Sequence, residues 1–520
     1  MDVVGTVTAE GGTESRAGPH RRLAKARHPL PKTHLPITHK CSLYCSQVNR
    51  GDSDTGEGMR AEWVEKEMES LDVGDLRRKE RVKRMIEDFA DKPNASIPIA
   101  CGNPADTKAA YRALGSEKIS AEEIRLAHAR ATVSRMRELK RAYVVQDTMT
   151  LSFNTCPATR GLGPVGKAGT HGLLVHSGLA LTSEGLPLGI VHQQVWARDE
   201  EERKRHTRRK RQVEEKESFR WLETVDAVES LLPKDLEVWV AGDREADLFE
   251  LFAMPRREGL HLVVRAAHDR RVESAEAEYL HEAARRAPVL GEMEVAVPRS
   301  RSRKARTATL RVQVCTLKLV PPRNHLGRKD LSPIPVSVVL ARETGTTPQG
   351  EEPVEWMLIT TVPVHTLARA VEVVEAYAQR WKVERYHYVL KSGCGIEKLQ
   401  LESAERIDRA LAMYNVVAWR LLYMTYIARL APDLPCTAVL EEEEWKTLFV
   451  VGSRKPRPVP EKAPTVREAV RMIAMLGGFQ GRKGDGEPGV KAIWSGFRQL
   501  MNFTLALQRL RASPILVGNG

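Results

Sequence analysis

Three acidic residues stand where chemistry could use them. Asp147 lies inside the apolar run from Ala142 to Phe153, which reads as a strand; an unpaired charge is expensive to bury there. Asp243 follows the apolar strand Glu237 to Val240, at the end where open sheets usually present ligand-facing groups. A single strand-end aspartate is more often a structural cap than a ligand. Two on separate strands shift that balance, because a hard divalent cation collects oxygens from several elements. The third acid is Glu384. Tyr377, Arg380, Glu384 and Lys391 occupy positions i, i+3, i+7 and i+14 of a predicted helix that begins at Leu367 and runs to Leu390. At about 100° per residue these offsets fall within an arc of roughly 60°. An acid among an aromatic and two cations suits an ion-paired surface or a phosphate-facing site. Trp381 and Tyr388 beside the stripe speak against a merely solvated face.

The elements that must position these residues are legible. From Glu62 to about Arg141 the pattern is helical, starting with a helix over Glu62 to Leu71. Ser120-Ala-Glu-Glu and Thr132-Val-Ser-Arg read as helix starts. Asp75 opens a helix on which Arg77, Arg78, Arg81 and Arg84 are neighbours; this basic face is either solvated or a DNA contact. Leu173 to Thr182 and Leu186 to Trp196 alternate and are joined by Ser183-Glu-Gly, a hairpin signal. Helix Phe219 to Leu232, the strand before Asp243, a further helix and strand His261 to Arg265 follow. Three strands, then helix, strand, helix, strand is the order of the mixed sheet of ribonuclease H, an analogy at the level of fold. Met293 to Val297, Thr307 to Leu319, Pro335 to Glu343 and Trp356 to Thr361 read as strands of a β-rich insertion, and the remainder is mostly helical.

Composition bounds the function. The chain has 520 residues, 42% hydrophobic and 29% charged, with 81 Lys+Arg against 68 Asp+Glu and a net charge of +13. That surplus favours a polyanionic partner, since each basic contact to a phosphate releases counterions. Ala410 to Leu430 is the nearest approach to a membrane span, but Arg420 and Arg429 make it a buried helix instead. The N-terminus lacks a signal-peptide h-region, and seven cysteines are too sparse for a disulfide scaffold. Both point to reducing cytoplasm. Residues 1–58 read as a disordered leader in which Cys41, Cys45, His34 and His39 lack the second ligand pair of a zinc finger. Met59 is an alternative start.

The basic run Arg203 to Arg211 sits on a predicted loop, as a strand contact or a solvated linker, and the basic segment Arg299 to Arg306 separates strands of the insertion. Glu384-Arg-Tyr-His387 has the spacing of a bundle di-iron motif but no second copy. Gly161-Leu-Gly-Pro-Val-Gly lacks the Lys-Ser/Thr of a P-loop and reads as a flexible loop.

Together these residues match a known family. Val145-Gln-Asp147-Thr-Met-Thr-Leu-Ser, Asp243-Arg-Glu-Ala-Asp247 and Tyr377-x2-Arg380-x3-Glu384-x6-Lys391 resemble the DDE transposases of bacterial insertion sequences. The similarity is to the insertion sequence four family with its YREK signature, and most to the subgroup of the kanamycin-resistance composite transposon. It extends from about Trp63 to Arg511 and includes Val175-His-Ser, Glu355-Trp-Met-Leu-Ile-Thr and Leu476-Gly-Gly-Phe.

The resemblance implies an α/β fold: a ribonuclease H-like mixed-sheet core with a β-rich insertion, a helical N-terminal DNA-binding domain and a helical C-terminal domain. The expected boundaries are 59–141 for the DNA-binding domain, 142–270 and 363–430 for the core, 271–362 for the insertion and 431–520 for the dimerisation domain. It further implies cut-and-paste transposition at terminal inverted repeats, including a hairpin route, by a homodimer on double-stranded DNA. Asp147, Asp243 and Glu384 would bind two Mg²⁺ or Mn²⁺ ions and form the catalytic triad. Tyr377, Arg380, Lys391 and Arg265 would contact end DNA, and Trp356 would stack on a flipped base unless it is an ordinary β-core tryptophan. The helix from about Trp494 to Arg511 would serve dimerisation. Tyr388 and Ala267 stand where a known relative has lysines, so end affinity is not inherited. A metal-dependent nuclease without strand transfer and a decayed or domesticated DNA-binding protein are the alternatives.

Overall fold

The computed structural model describes residues 61–166, 169–199, 217–297, 305–323, 331–452 and 458–512. The leader, the run Arg203 to Arg211 and most of the run Arg299 to Arg306 lie outside them.

Five helices open the described chain: α1 (Glu62–Glu67), α2 (Leu76–Asp91), α3 (Ile97–Cys101), α4 (Pro104–Leu114) and α5 (Ala121–Met136). Side-chain caps fix the starts of α2, α4 and α5. Asp75 accepts from the Arg77 N–H, Asn103 from that of Asp106, and Ser120 from those of Glu122 and Glu123. Thr132, expected at a helix start, lies inside α5; its hydroxyl donates to the His128 carbonyl one turn back. The first helix ends at Glu67, short of the expected Leu71.

Among the described residues eleven strands form one mixed sheet. β1 (Arg141–Ser152) is flanked by antiparallel β3 (His171–Thr182) and parallel β5 (Glu237–Gly242). β4 (Pro187–Trp196) pairs antiparallel with β3, and β6 (Leu260–Arg265) pairs parallel with β5. The β3–β4 turn needs Gly185, whose φ is +88°. Gly163–Pro164, expected in a flexible loop, forms the short strand β2 against β3.

The strands expected as an insertion do not make a separate sheet. β11 (Glu355–Thr360) pairs with β6 and carries the sheet onward through β10 (Ile334–Glu343) to β9 (Arg306–Leu319). β7 (Val272–Glu273) and β8 (Val289–Val297) then pair with β9.

Strand alternation builds a core on each face. Tyr143 and Val145 face one cluster, shared with α9 (Leu367–Ala378), α10 (Trp381–Tyr388) and α11 (Ala404–Leu430). Ala142 and Val144 face the other, with Trp221, Val225 and Val228 of α6 (Arg220–Leu231) and the short helices α7 (Phe249–Ala253) and α8 (Leu280–Arg286). α11 is buried along most of its length, and Arg420 within it pairs with Glu444 at 3.4 Å. The chain closes with α12 (Glu442–Val451), α13 (Val466–Leu476) and α14 (Val490–Ala512). Among the described residues no helix is long and apolar enough to cross a membrane.

Candidate active site

Asp147 comes from β1, an interior strand of the sheet, Asp243 from the turn after the neighbouring strand, and Glu384 from the helix packed over them. Each aspartate is steadied by backbone. The Thr148 N–H donates to Asp147 Oδ1 at 2.9 Å, and the Glu245 N–H donates to Asp243 Oδ1 at 2.8 Å. Arg380 is buried and lies between two of the acids: Nη2 is 2.8 Å from Glu384 Oε1 and Nη1 is 3.6 Å from Asp147 Oδ2. The Asp147 side chain is 17% exposed, that of Glu384 40%, so the group opens to solvent on the Glu384 side.

Asp147 lies within reach of the charges of the other two acids. Burial pushes the Asp147 carboxyl up to about 7; Asp243 and Glu384 add to the rise, while Arg380 and the Thr148 N–H oppose it. Crowded carboxylates with one guanidinium among them hold an excess of negative charge. In donor chemistry this suits a hard divalent cation, whose ligands are oxygens. Among the described residues, however, no three acidic, histidine or cysteine side chains are drawn together tightly enough to form a ready-made metal cluster. Arg380 occupies the place of positive charge between Asp147 and Glu384.

The helical stripe needs correction. The expected single helix from Leu367 to Leu390 is two helices, tightened at Gln379–Arg380 by i→i+3 hydrogen bonds and widened to a π-turn over Val389–Gly393. The winding is therefore not constant along the stripe. Tyr377 is buried and meets Trp356 edge-on, ring centroids 5.7 Å apart. Arg380 and Glu384 stay together. Lys391 sits 3.7 Å from Glu397, whose carboxylate also accepts the Ser152 N–H at the end of β1.

Arg265 on β6 donates to the Glu355 carbonyl at 3.1 Å, next to Trp356. Arg265, Trp356, Tyr377 and Arg380 therefore form a connected run leading to the acids. Tyr388 packs on Trp494 of α14, centroids 5.6 Å apart. The Ala267 N–H is held by the buried carboxylate of Asp247.

The arginines of α2 are not an unpartnered basic face. Arg81 and Arg84 both reach Asp106, at 3.0 and 3.3 Å, and Arg78 donates to the Val73 carbonyl. Arg77 is exposed. Sequence reasoning missed the residues behind the aspartates, Thr148, His176, Arg220 and Glu245. Only Thr148 and Glu245 lay in runs singled out around the acids; nothing in the spacing of Arg220 signalled a link to them.

Comparison with known families matches three stretches of the chain. Residues 60–119 match a transposase DNA-binding domain, residues 190–420 a transposase DDE domain, and residues 416–513 the dimerisation domain of transposase Tn5. The DDE match includes Asp243 and Glu384 but begins beyond Asp147, which joins them through geometry. In order along one chain, these matches give the protein the domain set of a DDE transposase, with a DNA-binding domain before the DDE domain and a dimerisation domain after it.

Proposed function

We propose that the protein is a cut-and-paste transposase of an insertion sequence, of the YREK-bearing insertion sequence four kind. It cleaves DNA at its element's terminal inverted repeats and joins the freed ends to target DNA. The observation that carries this is that Arg380 bridges Asp147 and Glu384, far apart in sequence, while Asp147 also feels the charge of Asp243, in a chain with DNA-binding, DDE and dimerisation domains. The order β4-β3-β1-β5-β6, with the first three strands antiparallel and the last two parallel to β1, supports a ribonuclease H-like core.

In this reading Asp147, Asp243 and Glu384 hold divalent ions, two Mg²⁺ or Mn²⁺ per site. Such ions supply an activated attacking hydroxyl and stabilise the leaving oxygen in phosphodiester chemistry. The chain's own residues prepare the site. The Thr148 and Glu245 N–H groups aim the two aspartates, and Arg380 keeps Asp147 and Glu384 paired before loading. Arg380 then turns to the phosphate that approaches from the open Glu384 side. Tyr377, Lys391 and Arg265 line the path of the end DNA, and Trp356 offers a face for a displaced base. Residues 59–141, including Arg77, Arg78 and Arg81, bind the ends, and α14 pairs two subunits, each acting mainly on the end bound by the other. Hydrolysis of one strand frees a 3′-hydroxyl that forms a hairpin, which is reopened before joining.

The test is incubation of the full chain with Mg²⁺ and linear DNA bearing the element's inverted repeats. Flush excision with joined products supports transposition. Unjoined cuts indicate a nuclease, and a gel shift alone indicates a binding protein. Asp243→Ala abolishes cleavage and keeps binding; full activity in that variant refutes the site.

A further inference from the structure

We propose that Arg220 is a positioning residue that holds Asp147 and Asp243 at a fixed spacing from behind the sheet. The proposal rests on the reading of those aspartates as cation ligands. Arg220 opens α6, on the face of the sheet opposite Arg380 and Glu384. Its side chain is 10% exposed. Nε donates to Thr148 Oγ1 at 2.8 Å, Nη2 to Glu245 Oε2 at 2.6 Å, and Nη1 to the Glu217 carbonyl. The guanidinium carbon also lies 5.7 Å from the Trp196 ring centre and 5.6 Å from that of Trp221.

The partners give the contact its meaning. Thr148 and Glu245 are the two residues whose backbone N–H groups hold the carboxylates of Asp147 and Asp243. One guanidinium thus grips, by side chain, both residues that grip the two acids by main chain. It ties the middle of β1 to the turn beyond β5, which no ladder hydrogen bond does: the β1–β5 pairing ends at Val145–Ala241.

The Thr148 hydroxyl both accepts and donates. It accepts from Arg220 and donates to His176 Nδ1 at 2.8 Å, and His176 Nε2–H donates to Gln146 Oε1 at 3.0 Å. That assignment requires a neutral imidazole, and burial, helped by Arg220, holds His176 well below the usual histidine range. With three nitrogens engaged and the side chain nearly covered, Arg220 is a brace and not a phosphate contact. A planar fork can span both partners at set angles; a lysine ammonium cannot.

The experiment measures Mn²⁺ binding to the full chain by electron paramagnetic resonance, apart from cleavage. End binding in EDTA and circular dichroism serve as fold controls. Arg220→Met is expected to weaken Mn²⁺ binding about tenfold and to raise the Mn²⁺ needed for half-maximal cleavage by the same factor. End binding should not change. Thr148→Val should weaken Mn²⁺ binding about threefold. Glu245→Ala should lower affinity, and Glu245→Gln, which keeps an acceptor, should restore most of it.

Wild-type Mn²⁺ affinity in folded Arg220→Met overturns the proposal. Should that variant fail to fold, wild-type affinity in Thr148→Val does the same. Asp147→Asn and Asp243→Asn run in parallel separate the two levels. If neither changes Mn²⁺ binding, the metal-site reading itself fails. If both abolish it while Arg220→Met does not, only the positioning role fails.

Discussion

Replacing Asp147 by asparagine should make the metal-free protein more stable, and by an amount that depends on pH. The Asp147 carboxyl is pushed from its ordinary 3.8 up to about 7 in the folded chain, first by burial and then by Asp243 and Glu384. A raised folded pKa means that the native state prefers the protonated acid. Stability is therefore lost as pH rises from the unfolded value toward the folded one. The rise is roughly three units at about 1.4 kcal/mol each, so near pH 8 ionised Asp147 costs about 4 kcal/mol. Near pH 5 the penalty shrinks to about 2 kcal/mol, because the folded acid is mostly neutral. Asp147→Asn keeps the shape without the charge. Denaturant unfolding of both proteins in EDTA at the two pH values should show the larger gain at the higher pH. Added Mn²⁺ should then stabilise the wild type more than the variant, since a ligand stabilises only the state that binds it. An asparagine variant no more stable than wild type near pH 8, or with the same advantage at both pH values, refutes the reasoning.

Three further outcomes follow from residues away from the acids. Burial works to raise the Glu67 carboxyl, yet Arg135 and His128 overcome it and hold it at about 2. Its contribution is present above the unfolded value near 4.5 and is lost as pH falls toward 2, and Glu67→Gln should cost about 3 kcal/mol at neutral pH and remove that acid limb from the stability profile. Asp91 behaves oppositely. Burial, with Glu444 and Asp88, pushes it up to about 7, so Asp91→Asn should raise the melting midpoint above neutrality and have a smaller effect below about pH 5. Gly496 lets α14 approach α13: a Cβ there would lie 1.6 Å from the Ile473 carbonyl oxygen. Gly496→Ala should therefore cost about 1–3 kcal/mol, seen as earlier proteolytic release of the C-terminal helices.

The sequence alone made most elements legible and pointed to a kind of chemistry. Alternation in Ala142 to Phe153 and in the hairpin strands marked β1, β3 and β4, because a half-buried strand repeats every two residues. Acids at strand positions, together with the charge surplus, pointed to metal-assisted work on a polyanion. Tertiary structure decided what lies between those acids. A local period assumes constant winding, so the tightened turn at Arg380 and the π-turn at Val389 were invisible, as was the pairing of Lys391 with Glu397. Nor could local pattern show that β11 would extend the sheet from β6, since ladder pairing joins residues about a hundred positions apart. The Arg380 bridge and the Arg220 brace belong to the same class. Each joins groups that are neighbours only once the sheet is covered on both faces, and a buried charge settles on whichever partner the packed interior leaves within reach.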